Sequence, residues 1–115
     1  MLNFANVTLA GVIGSTPQKL KSRSGKLMAT FDLAVNPTKR QKSQKPLWFT
    51  VTAFQKLGEH VLDNYQKGSM LIVRGTLRQF AWTRKNGTKR ERIVVYATSV
   101  FPAVAGVRAE NDMSG

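Results

Sequence analysis

The alternation of apolar and polar side chains in two short segments most constrains the fold of this chain. Residues 27–36 (LMATFDLAVN) place Leu, Ala, Phe, Leu and Val on one face, and residues 47–54 (LWFTVTAF) repeat the pattern. A period of two is typical of a β-strand with one buried face. Residues 4–13 (FANVTLAGVI) alternate only partly, and we expect Gly11 to break that strand.

The spacing of the apolar residues changes once along the chain, directly after the predicted strand at residues 47–54. The apolar residues that follow have the spacing of one stripe on a short helix: Leu57, Val61, Leu62 and Tyr65. Gly68 stands where we expect a left-handed cap to end this helix.

A long hairpin is predicted for the last part of the chain. Strand-like segments at 70–82 and 90–101 flank the turn RKNG at 84–87. Asn-Gly between two strands is the strongest short hairpin signal. Residues 14–26 are polar and predict a loop or a loose hairpin arm, and residues 37–46 (PTKRQKSQKP) predict a flexible basic loop.

Three strands, one helix and a long hairpin form the layout of the OB-fold. The predicted fold class is therefore all-β with one short helix, a five-stranded antiparallel OB-fold barrel with a long hairpin between its fourth and fifth strands. On this pattern alone, other small β-barrels fit equally well. A chain of 115 residues favours one domain, which we place at residues 1–102, with a flexible C-terminal tail at 103–115.

The charge balance points to a polyanionic partner. Lys and Arg total 18 against 6 Asp and Glu, a net charge of +12. The repulsion among these positive charges is offset when the protein binds a polyanion. The basic residues gather in three runs along the sequence. Any single run is explained as a solvated surface, but three runs together favour nucleic acid over an anionic membrane as the partner. The candidate phosphate-contacting residues in these runs are Lys19, Lys21, Arg23, Lys39, Arg40, Lys42, Arg74, Arg78, Arg84, Lys85, Lys89 and Arg90.

Other functional classes find little support. The chain has no cysteine and one histidine, His60, so Cys-based chemistry and His-pair metal sites are excluded. Glu59, His60 and Asp63 are better explained as a polar helix face than as a metal site. We expect no enzymatic activity, cofactor, metal or small-molecule substrate. With no transmembrane span or secretory signal evident, we expect a cytoplasmic, nucleoid-associated protein without membrane contact.

Three aromatic residues form a candidate platform for stacking unpaired bases. Trp48 and Phe54 share the face of their strand opposite its aliphatic face, and Trp82 lies at the base of the basic hairpin. Aromatic rings beside Lys and Arg are what binding of single strands requires. The alternative is that these rings plug the barrel ends or cover an interface.

The sequence resembles the bacterial-type single-stranded DNA-binding protein (SSB) family over about residues 5–102. The segments that carry the resemblance are NVTLAG (6–11), ATFDLAVN (29–36), WFTVTAF (48–54) followed by Lys56, Leu57 and Glu59, and YQKGS (65–69) followed by Val73, Gly75 and Leu77. The resemblance implies an OB-fold that forms a homo-oligomer, commonly a tetramer and otherwise a dimer. It also implies binding of single-stranded DNA without sequence preference in replication, recombination or repair, with base-stacking positions at Trp48, Phe54 and Trp82.

The sequence departs from the family pattern in three places. The loop between the second and third strands has no stacking aromatic, and the family's Asp-Pro is Thr16-Pro17. The acidic C-terminal tip is also missing, so we expect either a truncated chain or a tailless relative from a plasmid, phage or other mobile element.

Two other interpretations remain open. One is an OB-fold primosome or recombination adaptor that acts mainly through protein contacts; spaced stacking residues beside basic loops argue against it. The other is an RNA-binding OB or cold-shock-like protein, whose short aromatic strand motifs are absent here.

Overall fold

The computed structural model describes residues 5–36 and 45–103. The predicted basic loop is therefore outside the described residues for most of its length, and so is the predicted tail apart from Ala103. The described elements, in chain order, are β1 (Asn6–Ile13), β2 (Gln18–Lys21), β3 (Leu27–Val35), β4 (Leu47–Phe54), α1 (Gln55–Asn64), β5 (Met70–Thr83) and β6 (Lys89–Pro102).

Five of the strands close into a ring in the order β1-β5-β6-β4-β3, because β1 pairs with both β5 and β3. The short strand β2 adds to the edge of β3. The pairing of β4 with β6 is parallel, and the other described pairings are antiparallel. The predicted OB-fold ring is thus present, but the expectation of a wholly antiparallel sheet is wrong. The reason is that the chain passes through α1 and the hairpin before β6 pairs with β4, so that β6 runs in the same direction as β4.

The core lies inside the ring and follows from the alternation of the strands. In β3, Ala29, Phe31 and Leu33 are buried, whereas Asp32 between them is exposed. The helix contributes Val61, which is completely buried. The predicted apolar stripe of α1 packs on this core, which also contains the residues Leu9, Ile13, Val51, Ala53, Leu71, Val73, Val95 and Val100.

Gly11 does not break β1, contrary to the sequence prediction. The strand runs through it and passes from β5 to β3, with Val12 opposite Ala34. A Cβ at Gly11 would lie 3.0 Å from the backbone carbon of Ala34, so the glycine allows the close approach that closes the ring.

Gly68 does not cap α1, which is a second correction. The helix ends at Asn64, and the N–H of Tyr65 donates to the carbonyl of Val61. Gly68 has a φ of +97° in the turn that follows, and its N–H donates to the carbonyl of Ile13 at 2.9 Å. The left-handed conformation was predicted correctly, but it belongs to a turn held against β1.

The predicted hairpin is confirmed. Thirteen register pairs join β5 to β6 from Leu71 with Pro102 to Thr83 with Lys89, and Gly87 at the turn has a φ of +88°. The predicted loop at 14–26 contains β2, so it is in part a hairpin arm. Within the described residues, no helix is long and apolar enough to cross a membrane.

Candidate nucleic-acid interface

A groove of about 380 Å³ runs over the outer face of the sheet where β2, β3, β4, β5 and β6 meet. We call it the aromatic groove. Its walls combine rings, hydroxyls, aliphatic groups and one guanidinium: Leu20, Met28, Thr30, Thr50, Thr52, Phe54, Phe80, Trp82, Arg92, Val94 and Tyr96. Because outer-facing residues of adjacent strands share one side of the sheet, the closed ring brings together residues far apart in sequence.

Three aromatic rings form the middle of the aromatic groove. Phe54 meets Tyr96 edge-on, with 5.0 Å between ring centroids and an interplanar angle of 74°. Phe80 lies on the other side, 6.2 Å from Tyr96 and tilted by 43°. Aromatic pairs at such separations contribute about 0.5–1.5 kcal/mol beyond the area they bury. Tyr96 therefore holds Phe54 in place rather than offering both of its own faces to a ligand.

The open end of the aromatic groove is formed by the hairpin. Phe80 and Trp82 are 42% and 45% exposed, which is unusual for rings of this size. In the strand register, Arg92 lies opposite Phe80 and Arg90 lies opposite Trp82. Each exposed ring thus has a guanidinium beside it on the same face.

Arg78 extends this arrangement towards the ring of strands. Its Cζ atom lies 5.1 Å from the centroid of the Tyr96 ring, a cation–π geometry. The sequence predicts a phosphate contact for Arg78, and in the structure its guanidinium covers the Tyr96 ring.

Trp48 shares the sheet face of Phe54, as predicted, but is not part of the aromatic groove. It lies six residues earlier on β4, which corresponds to about 20 Å along an extended strand. Its indole is 59% exposed and lies against Gly14. The structure therefore brings Phe54 and Trp82 together and leaves Trp48 at the far end of the same face.

Most of the predicted phosphate contacts lie on exposed loops and arms. Lys19 and Lys21 lie on β2 and Arg23 in the turn after it, and all three are exposed. At the end of the hairpin, Arg84, Lys85, Lys89 and Arg90 are also exposed. Lys39, Arg40 and Lys42 are outside the described residues.

Arg74 is the exception. It lines a second, polar groove of about 290 Å³, together with Asn6, Val7, Thr8, Gly75, Thr76, Thr98 and Ser99. None of these residues lines the aromatic groove, so Arg74 belongs to a different groove from the exposed rings.

Sequence reasoning missed Phe80 and Tyr96. Phe80 could have been found, because it is two residues before Trp82 on a strand and therefore points to the same side. Tyr96 could not, since its place beside Phe54 depends on the parallel pairing of β4 with β6, in which Thr52 lies opposite Tyr96.

Comparison with known proteins agrees with this architecture. Residues 4–102 match the family described as the single-strand binding protein family. The chain belongs to this family. Among curated relatives, a single-stranded DNA-binding protein 1 of Nostoc sp. is 38% identical over 91 residues, which cover 77% of this chain and 74% of the relative. A single-stranded DNA-binding protein of Corynebacterium glutamicum is 31% identical over 91% of this chain and 49% of its own length.

A solved structure supports the fold of this single-strand binding family member. The small single-stranded DNA-binding protein from Streptomyces coelicolor superposes with a TM-score of 0.77, covering 91% of this chain and 99% of that chain at 21% sequence identity. The prediction of an OB-fold is confirmed.

Proposed function

We propose that this protein is a non-catalytic binder of single-stranded DNA that shows little sequence preference and protects the strand during replication, recombination or repair. The observation that carries the proposal is the aromatic groove, where exposed rings stand beside guanidinium groups. Membership of the single-strand binding protein family and the names of its relatives support it.

Binding would proceed in two physical steps. The net charge of +12 attracts the strand, and contacts of Lys and Arg with phosphates release counterions, which makes affinity depend on salt. The bases then stack on the exposed rings, which accept any base because every base has a π-face. Duplex DNA keeps its bases stacked inside the helix and cannot use these rings.

We assign base stacking to Trp48, Phe54 and Trp82. Trp48 and Trp82 expose about half of their area, and Phe54 is half-buried at the wall of the aromatic groove. We assign phosphate contacts to the basic residues named above, Arg78 and Arg90 first, since they share the sheet face of the exposed rings.

We also propose that the protein acts as a homo-oligomer, a tetramer or otherwise a dimer. Within the described residues, β1 pairs with β5 from Asn6 to Val12 but with β3 only at Val12 and Ile13. One edge of the strand is therefore open over residues 6–11, and an open edge favours pairing with a second copy. A protein that works on DNA in this way belongs in the cytoplasm with the nucleoid.

The test is a titration of the tryptophan fluorescence with oligo-dT, oligo-rU and duplex DNA, together with light scattering. We expect strong quenching by oligo-dT and little change with duplex DNA. Equal binding of duplex and single strands would contradict the stacking mechanism. A monomeric mass at micromolar concentration would contradict the oligomer proposal without touching DNA binding.

A further inference from the structure

One carboxylate, that of Asp32, lies on the sheet face to which we assign DNA. Asp32 is opposite Thr50 in the β3–β4 register, so its exposed side chain is on the same side as Trp48 and Phe54. Within the described part of the chain, the remaining acids are Glu59 and Asp63 on α1 and Glu91 on the hairpin. Glu91 lies on the face of the hairpin that points away from Trp82.

The backbone of Asp32 is fixed at both of its polar groups. Its N–H donates to the hydroxyl of Ser15 at 3.1 Å, and its carbonyl accepts from the N–H of Gly14 at 2.8 Å. Gly14 is the residue against which the indole of Trp48 lies. The carboxylate and the indole are therefore held on one framework, as diagonal neighbours with about 7–8 Å between their Cα atoms.

The carboxylate keeps capacity for a ligand. Within the described residues, Thr50 donates its hydroxyl to Oδ1 at 3.3 Å, and an ionised carboxylate has about four lone-pair sites. Because Asp32 is exposed, the unused sites are accessible to a bound strand.

A DNA strand whose bases stack on both Trp48 and Phe54 must pass over Asp32. Along the register, the pair Asp32–Thr50 lies between the pair formed by Trp48 and the pair formed by Phe54. A phosphate is repelled from this position by like charge, so the base edge is the part of a nucleotide that fits there. An exocyclic amino group that reaches the carboxylate is attracted, whereas a carbonyl oxygen in the same place is repelled.

We propose that Asp32 selects among bases, accepting a hydrogen bond from the exocyclic amino group of cytosine in preference to uracil or thymine. Cytosine presents an N4 amino donor where uracil and thymine present the O4 acceptor, and bases in single strands are read on these edges. The inference rests on the proposed binding of single-stranded DNA and adds a modest base preference to it.

The test compares oligo-dC with oligo-dU of equal length, because cytosine and uracil match in size and both lack the thymine methyl group. The titrations are carried out at mildly alkaline pH. Affinities are read from tryptophan quenching. Asp32→Ala lowers the ratio of oligo-dC to oligo-dU affinity by about three- to tenfold. Asp32→Asn also lowers it, because its amide N–H₂ donates to uracil O4 while its amide oxygen still accepts from the cytosine amino group.

Glu91→Gln is the matched control. It removes the same charge from the face of the hairpin that points away from Trp82, where Glu91 accepts from the Gln79 amide at 2.7 Å. We expect it to leave the ratio of oligo-dC to oligo-dU affinity unchanged. Far-UV circular dichroism checks folding, and Asp32→Asn keeps a partner for Thr50 should the alanine variant unfold.

Two outcomes separate the inference from the proposed function. If Asp32→Ala raises both affinities by the same factor, Asp32 only repels phosphate and the base-selection proposal is wrong, while DNA binding stands. If the unmodified protein binds neither oligonucleotide, the proposed function is wrong and the inference with it.

Discussion

The indole of Trp48 lies across Gly14, so close that a Cβ at position 14 would be 2.5 Å from the Cη2 atom of the ring. The ring needs a residue without a side chain beneath it. Since the indole remains 59% exposed on its other surfaces, this contact fixes its orientation without burying it. Gly14 thus presents the indole of Trp48 in the orientation in which we propose that it stacks on bases.

We predict that Gly14→Ala weakens DNA binding with little effect on stability. The added Cβ meets the far end of an exposed side chain, which can move, so the free energy of unfolding changes by only about 0.5 kcal/mol. The displaced indole stacks less well, and affinity for oligo-dT falls by up to about 1–3 kcal/mol, the contribution of one stacked base.

A double-mutant cycle supplies the control for this prediction. In a Trp48→Ala background, Gly14→Ala has no ring to displace and leaves the affinity unchanged. Equal losses in both backgrounds would show that Gly14 acts on DNA binding without Trp48.

The fold was largely predictable because its signals are local. The alternation in β3 identifies the buried residues Ala29, Phe31 and Leu33, and Asn-Gly identifies the hairpin. Gly11 and Gly68 were misread because a glycine in a sequence signals a break or a cap equally well. Their actual roles, close approach to Ala34 and a turn against Ile13, depend on residues distant in the chain.

The candidate site was only partly predictable. The strand phase of Phe54 and Trp82 can be read from the sequence, but their meeting in one groove requires the ring to close. Tyr96 looks like any residue of a buried strand until the parallel pairing with β4 places it beside Phe54. The contact of Tyr96 with Phe54 joins two strands that are far apart in sequence, so no local pattern encodes it.

We predict that Gly75→Ala is strongly destabilising, unlike the same substitution at Gly14. Gly75 is buried at an irregularity in the β5–β6 register, and a Cβ there would lie 2.9 Å from the Cα of Ala97. Backbone cannot move aside as a side-chain end can, so we expect a loss of about 1–3 kcal/mol. Urea denaturation of the two variants measures the contrast, and similar stabilities would contradict it.

We predict that Gln55→Gly stabilises the protein. Gln55 has a φ of +58° directly after Phe54, a conformation that costs a residue with a Cβ about 1–2 kcal/mol. Glycine removes this strain but adds about 0.5–1 kcal/mol of chain entropy, so the net gain is about 0.5–1 kcal/mol and the melting temperature rises. Gln66→Gly is the control, since Gln66 is exposed and has no positive φ; its melting temperature should not rise.

We predict that the residues to which we assign base stacking differ in their effect on stability. Trp82→Ala weakens oligo-dT binding by about 1–3 kcal/mol and barely changes the melting temperature, because its ring is 45% exposed. Phe54→Ala weakens binding and also lowers stability by more than about 1 kcal/mol, because its contact with Tyr96 and the area that its half-buried ring covers are both lost. Ile93→Ala is the matched control, since it removes an apolar group that is 57% exposed on the other face of the hairpin. A loss of affinity in this variant would mean that the strand does not follow the aromatic face.

We predict that Arg90 and Lys89 contribute unequally to the salt dependence, although they are neighbours of equal charge. Arg90 lies opposite Trp82 and shares the face of the aromatic groove, whereas Lys89 lies opposite Thr83 and points to the other side. Each phosphate contact contributes about −0.7 to the slope of log K against log salt for a single strand. Arg90→Ala therefore makes the slope shallower by about this amount, while Lys89→Ala changes it less. Because both variants lose one positive charge, a general field effect would change the two slopes equally, and that result would contradict a strand bound along the face of Trp82.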